Sequence, residues 1–337
     1  MSKDNIDKQS DEEIYQQLIK GSIDQFKDTH SLTEKNQQQI IRSGKFMAQK
    51  TNIMISLAIL LLILPVLTLA TYVYYGIGGK ANRLIDVAAK TVYVTEPNMR
   101  IKQWGVNIDI GLFSMDMDFS IYKKIGNEEY KVANYDVPIT FSQTGRIQRE
   151  AFLDREVTTH DKGFMYPRGR VPYTADLQWN VLKGLPDGTV SEIYISLANV
   201  MSREEFEKLL PQNIDLRWLA VDTGLEGRTD DQSGTSFSAI GYPAQVDANP
   251  SSPFSDKGKT NEVTFLEVLK LLREYEPQAE KMAGVRNLSL TKRIQHIEQN
   301  GIKIYGAVLT GPTAQLRQLE QVKEIRGMKV GEVKLWN

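Results

Sequence analysis

TNIMISLAILLLILPVLTLATYVYYGIGG, Thr51–Gly79, contains no charged side chain and is closed at each end by a lysine, Lys50 and Lys80. Between Ile53 and Tyr75 it holds thirteen Ile, Leu and Val residues. At about 0.3–0.6 kcal/mol each they favour bilayer insertion by about 4–8 kcal/mol before Pro65 and the polar side chains are counted. A helix of this length, rising about 1.5 Å per residue, covers a hydrocarbon layer of about 30 Å. The stretch reads as a single membrane crossing. Tyr72, Tyr74 and Tyr75 fall where an aromatic belt forms at one membrane surface. A buried core helix seldom offers so long an uncharged run, and fifty residues upstream are too many for the leader of a cleaved signal peptide.

Working outward, the flanks orient the crossing. Lys35, Arg42, Lys45 and Lys50 form an acid-free basic run before it, whereas Lys80, Arg83 and Lys90 after it are interrupted by Asp86. The positive-inside rule places the N-terminus in the cytoplasm. The expected layout is a single-pass protein of the cell membrane. Residues 1–50 form a cytoplasmic tail and residues 51–79 the helix, followed by a β-rich extracytoplasmic region, 80–185, and an α+β extracytoplasmic domain, 186–337, with a mobile loop at 226–262.

Composition narrows the function. The 337 residues are 41% hydrophobic and 25% charged, enough for a sizeable core besides the anchor. A net charge of −1 offers no basic footprint for direct nucleic-acid binding. The lack of cysteine removes disulfides, thiolate nucleophiles and cysteine-ligated metals, and in an exported domain it fits a Gram-positive surface.

In the tail, Ile14, Leu18 and Ile19, then Ile23 and Phe26, fall near three-to-four spacing behind a Ser10/Glu13 capping-box pattern. One or two short amphipathic helices are predicted; such helices are marginal alone and order on a partner. After the membrane a short polar helix, Lys80 to Lys90, leads into Thr91–Thr95 and a turn at Glu96-Pro97-Asn98. From Gly105 to Tyr122 half-buried strands are predicted, with Met115, Met117, Phe119 and Ile121 alternating against Asp116, Asp118 and Ser120. Gly126-Asn127 marks a hairpin.

Farther on, Ile193–Leu197, a Ser202/Glu205 capping box, and Ile214–Val221 read as strand, helix and strand. The order recurs at Ile302–Thr310, a helix begun by Pro312, and Met328–Trp336. These predict two β-α-β units of a ferredoxin-like α+β domain. Helices are predicted at Thr264–Tyr275, capped by Thr264, and at Ser289–Gln299. In the intervening loop, Phe237, Ile240 and Tyr242 make an apolar island that docks back on the sheet and supplies candidate ligand contacts.

The residues offer no catalytic constellation. The histidines are His30, His160 and His296, no Gly-x-Ser-x-Gly elbow occurs, and Gly76–Lys80 lacks the spacing of a phosphate loop. No enzyme, metal or cofactor is expected.

The anchor with its Tyr-rich boundary and Ala81–Val94, together with Ile304-Tyr305-Gly306-Ala307-Val308-Leu309-Thr310-Gly311-Pro312-Thr313 and Ile325-Arg326-Gly327, resembles the sigma factor regulator family of Gram-positive bacteria. That family includes membrane-bound anti-sigma factors that hold an extracytoplasmic-function sigma factor. The tail lacks the His-x-x-x-Cys-x-x-Cys signature of the zinc-type members, so the resemblance implies zinc-independent capture. On this reading Ile14, Tyr15, Leu18, Ile19, Ile23 and Phe26 bind the sigma factor, or a second small membrane protein, while the outer domain senses envelope state. The alternative is an anchored module for an envelope ligand, without sigma-factor contact.

Overall fold

The computed structural model describes residues 13–25, 34–141, 143–152, 163–167, 175–228, 237–255 and 258–335. Phe26, His30 and His160 lie outside the described residues. The chain divides into two units, Met1–Val66 and Leu67–Asn337.

In the first unit, residues 13–25 form helix α1. Helix α2, Glu34–Gly76, starts well before the apolar run, so the basic stretch ahead of the crossing is helical too; Pro65 lies inside α2 without ending it. Every large apolar side chain from Ile53 to Leu64 is exposed. Lipid tails match such a surface and water does not. Among the described residues this is the one helix long and apolar enough to cross a membrane.

The second unit begins with the end of α2. Tyr75 is fully buried, and its hydroxyl donates to the Ile139 carbonyl at 3.3 Å. Of the three belt tyrosines, only Tyr72 is exposed. Gly78 and Gly79 follow at φ +72° and +67°, a left-handed region that Cβ-bearing residues avoid. They break the helical path once.

Helix α3, Lys80–Thr95, then restarts and runs through the β-branched stretch Thr91–Thr95, past the Lys90 limit the sequence implies. Burial explains the difference. Thr91, Val92, Tyr93, Val94 and Thr95 are all buried, the Thr91 and Thr95 hydroxyls donate to the carbonyls of Val87 and Thr91, and Trp218 Nε1 donates to the Tyr93 carbonyl. Tertiary packing here outweighs β propensity. α3 serves two cores. Leu84, Ala88 and Val92 join Met115, Met117 and Ile139, while Val87, Tyr93 and Val94 join Ile195, Leu219 and Leu309.

The first sheet comprises β1 (Met99–Ile110), β2 (Ser114–Ile125), β3 (Glu128–Thr140), β4 (Gln143–Thr144) and β5 (Gln148–Ala151). Its order is β1-β2-β3-β4, with β5 also on β3, and all pairs are antiparallel. β2 buries Met115, Met117, Phe119 and Ile121 as its alternation requires. Gly126, at φ +60°, makes the first residue of the two-residue β2–β3 turn.

After α4 (Ala175–Gly184) comes the second sheet: β6 (Thr189–Met201), β7 (Asp215–Val221), β8 (Gly241–Pro243), β9 (Ile304–Pro312) and β10 (Ile325–Leu335). Its order is β10-β6-β9-β7-β8, again antiparallel between every pair of neighbours. β6 and β7 therefore run the same way with β9 between them, joined by α5 (Arg203–Glu207). β9 and β10 flank β6 and are joined by α9 (Thr313–Leu316) and a short 3-10 turn. α5 opens on a complete capping box: Glu205 N donates to Ser202 Oγ, and Ser202 N donates to Glu205 Oε2 at 2.8 Å. Ser202→Ala should cost about 1 kcal/mol, read as a Tm loss of roughly 2–4 °C.

The segment read as a mobile loop, 226–262, is held to its surroundings along 237–255. β8 pairs with β7, Asp247 bridges Ser255, and Asn261 Nδ2 donates to the carbonyls of Pro243 and Gln245. Helix α6, Asn261–Glu274, is capped by Thr260 instead of Thr264. The Asn261 bonds explain the earlier start, since they fix the first turn against the β8 segment. α7 (Glu276–Ala283) and α8 (Leu290–Asn300) follow before β9.

Candidate functional site

Advancing about 100° per residue, Ile14, Leu18, Tyr15, Ile19 and Ile23 fall within about half the circumference of α1. Glu13, Gln16, Gln17, Lys20 and Asp24 occupy the other half. All five apolar side chains are exposed, from 38% at Ile19 to 64% at Tyr15 and Leu18. Phe26, the sixth predicted contact, lies outside the described residues. A helix this short repays its nucleation cost poorly in water. The stripe is the kind of surface that inserts into a partner's groove.

The apolar island docks on the sheet through β8. Ile240 and Tyr242 are fully buried in the main core. Tyr242 sits 5.3 Å from Phe265 between ring centroids, and its hydroxyl donates to Glu262 Oε1 at 2.9 Å. Burial, followed by the Glu262 charge, pushes its pKa up. These two side chains hold β8 to the sheet and present no open surface. Phe237 is half-buried, with the Arg293 guanidinium 5.8 Å from its ring centroid.

Two buried charge clusters were not foreseen from the sequence. Lys123 continues the inward register of β2 after Ile121 and is 1% exposed. Its Nζ lies 2.9 Å from Glu192 Oε2 and 2.9 Å from the Tyr194 hydroxyl, both on β6. Asn98 Nδ2 donates to the other Glu192 oxygen at 2.8 Å. Burial opposes the ammonium charge, but Glu192 and then Tyr194 outweigh it, so the Lys123 pKa is raised. Its stabilising contribution is therefore complete below the ordinary lysine value of about 10.4 and fades only as pH rises through the folded value. The signal was legible in principle: Lys123 is in phase with the apolar residues of its strand.

The second cluster centres on Arg293 of α8, fully buried. It donates to Glu226 Oε1 at 2.6 Å, Thr223 Oγ1 at 2.8 Å and the Ser238 carbonyl at 2.9 Å. Glu226 Oε2 in turn accepts from the Thr223 amide at 2.7 Å. These bonds join α8, the segment after β7 and the island. His296 Nε2 lies 3.6 Å from Asp222 Oδ2, and the ring is half-buried. Among the described residues no group of three His, Asp or Glu side chains could hold a metal ion.

Comparison with known proteins gives three results. A family model described as "Sigma factor regulator N-terminal" matches residues 38–130, and one described as "Sigma factor regulator C-terminal" matches residues 182–332. The chain is 31% identical over 333 residues to a protein described as the probable anti-sigma-M factor YhdL of Bacillus subtilis (strain 168), covering 96% of this chain and 90% of that one. No solved structure matches the chain. The first matched segment begins inside α2 and ends in β3, and the second runs from α4 into β10.

Proposed function

This chain belongs to the sigma factor regulator family, and from that membership we propose that it is a membrane-anchored anti-sigma factor whose α1 captures an extracytoplasmic-function sigma factor. The observation that carries the proposal is the exposed stripe Ile14, Tyr15, Leu18, Ile19 and Ile23 on a helix ahead of a membrane crossing. Phe26 extends that stripe in sequence. The basic run Lys35–Lys50 supports a cytoplasmic position for the tail and an extracytoplasmic one for the folded body. Tethering raises the effective concentration of the tail for any partner held at the inner surface, including a second membrane protein.

The body senses envelope state through residues 80–185 and 186–337, the latter a ferredoxin-like domain. Supporting this fold are the order β10-β6-β9-β7 and the two helix-linked strand pairs. Phe237 is the member of the apolar island left for a ligand. The family reading assigns regulation and not catalysis.

The test compares the full chain with one lacking residues 1–33, both expressed from the native level and followed with a reporter on the sigma-dependent promoter. Deletion should release repression with the remaining chain still in the membrane fraction. Unchanged reporter output would sink the capture step and favour the envelope-ligand module instead. Protease added to intact protoplasts tests the placement: it should degrade the body.

A further inference from the structure

The side chains around the end of α2 belong to two hairpin tips. Phe113, in the β1–β2 turn, and Phe141, just after β3, stack with ring centroids 5.3 Å apart and an interplanar angle of 28°. Tyr74 of α2 meets Phe141 edge-on at 6.4 Å, and Lys80 Nζ lies 3.6 Å from the Tyr74 ring centroid. The Phe113 amide donates to Thr71 Oγ1 at 3.1 Å, which fixes the tip to the helix. Leu112, Phe113 and Phe141 are nonetheless exposed, at 44%, 37% and 56%. Both phenylalanines hold positive φ, +59° and +48°, a conformation that bulky side chains rarely adopt. The turns thus keep large apolar rings outward at a conformational cost, a pattern that points to use.

Depth identifies what meets them. Thr71 lies eighteen residues past Ile53, the start of the apolar run, which is about 27 Å along the helix. That is close to the full hydrocarbon thickness of about 30 Å. Phe113, bonded to Thr71, is therefore level with the membrane boundary. Exposed Tyr72 is its neighbour on α2. Aromatic and aliphatic side chains at that level bury their apolar atoms in the acyl edge and headgroup layer.

We propose that Leu112, Phe113 and Phe141 insert into the interfacial layer of the same bilayer that α2 crosses, so that the first sheet rests on the lipid surface by two hairpin tips. The proposal rests on reading α2 as the membrane crossing and adds a second lipid contact.

Because the chain has no cysteine, single labels are unambiguous. Full-length Phe113→Cys, Phe141→Cys, Leu112→Cys, Leu57→Cys and Lys208→Cys variants, each carrying a nitroxide, would be reconstituted in phosphatidylethanolamine/phosphatidylglycerol vesicles. Collision with oxygen and with a water-soluble nickel chelate is then measured. The tip labels should show an oxygen-to-nickel ratio several-fold above that of exposed Lys208→Cys, falling between it and the mid-helix Leu57→Cys. A ratio equal to that at position 208 overturns the proposal, and low access to both reagents overturns it in favour of burial against protein, within the chain or in a second copy. Should the Leu57 label itself behave as aqueous, the membrane reading fails and takes this inference with it. Leu112→Cys keeps the test open where Phe113→Cys perturbs the turn.

Discussion

On the proposed capture by α1, the Leu18→Asp chain should hold its sigma factor roughly 30- to 150-fold more weakly than the parent in pull-downs from solubilised membranes, and the sigma-dependent reporter should rise towards the level of the tail deletion. Leu18 lies inside the exposed arc of α1, at 64% exposure, so about two-thirds of its surface remains available for burial against a partner. Losing that burial costs about 2–3 kcal/mol; at about 1.4 kcal/mol per tenfold, the affinity falls by the stated factor. An aspartate also brings a charge into a desolvated contact, which pushes the result towards the upper end. Gln17→Asp makes the same charge change on the polar half of the helix and should leave capture intact. Equal retention by both variants, or equal loss, removes the stripe as the binding surface. Neither substitution touches α2, so membrane retention should not move.

Glu192→Ala should lower the unfolding free energy of the detergent-solubilised chain by about 3–5 kcal/mol, because it strands the Lys123 ammonium in the core. The cost comes from the uncompensated charge more than from the lost attraction. Lys123→Met combined with Glu192→Leu should therefore regain most of the stability, since apolar replacement of a buried pair is often neutral or better. A urea titration of the single and double variants reads both effects. A single variant as stable as the parent would mean that water reaches Lys123 despite its 1% exposure. Asn98 stands to lose its 2.8 Å bond to Glu192 in either variant, so recovery short of complete is expected.

Local sequence rules located what is decided locally. The alternation of β2, the Gly126 turn and the Ser202/Glu205 box all occur where their residues place them. Where distant groups decide, the same rules failed. Thr91–Thr95 favours a strand by composition, yet it is helical because both cores close on it. Thr264 fits a cap, but Asn261 is held by Pro243 and Gln245, which moves the helix start one turn earlier. That Ile240 and Tyr242 dock back on the sheet was legible from their apolar character in a polar loop; that β7 and α6 enclose them, leaving no surface for a ligand, was not, because those neighbours are invisible in a linear reading. The α1 stripe was legible because it needs no tertiary contact at all. The Lys123–Glu192 pair joins strands sixty-nine residues apart, a separation that one sequence alone gives no means of bridging.

The tandem glycines at 78 and 79 look at first like a swivel between the membrane helix and the body. They are spanned, however, by attachments on either side: Thr71 and Tyr75 below them hold the first sheet, and α3 above them is embedded in both cores. A joint clasped on both sides cannot spin idly. Within the second unit Thr71 and Tyr75 are therefore bound to the first sheet, and the two glycines set a bend in the chain's path instead of a free hinge.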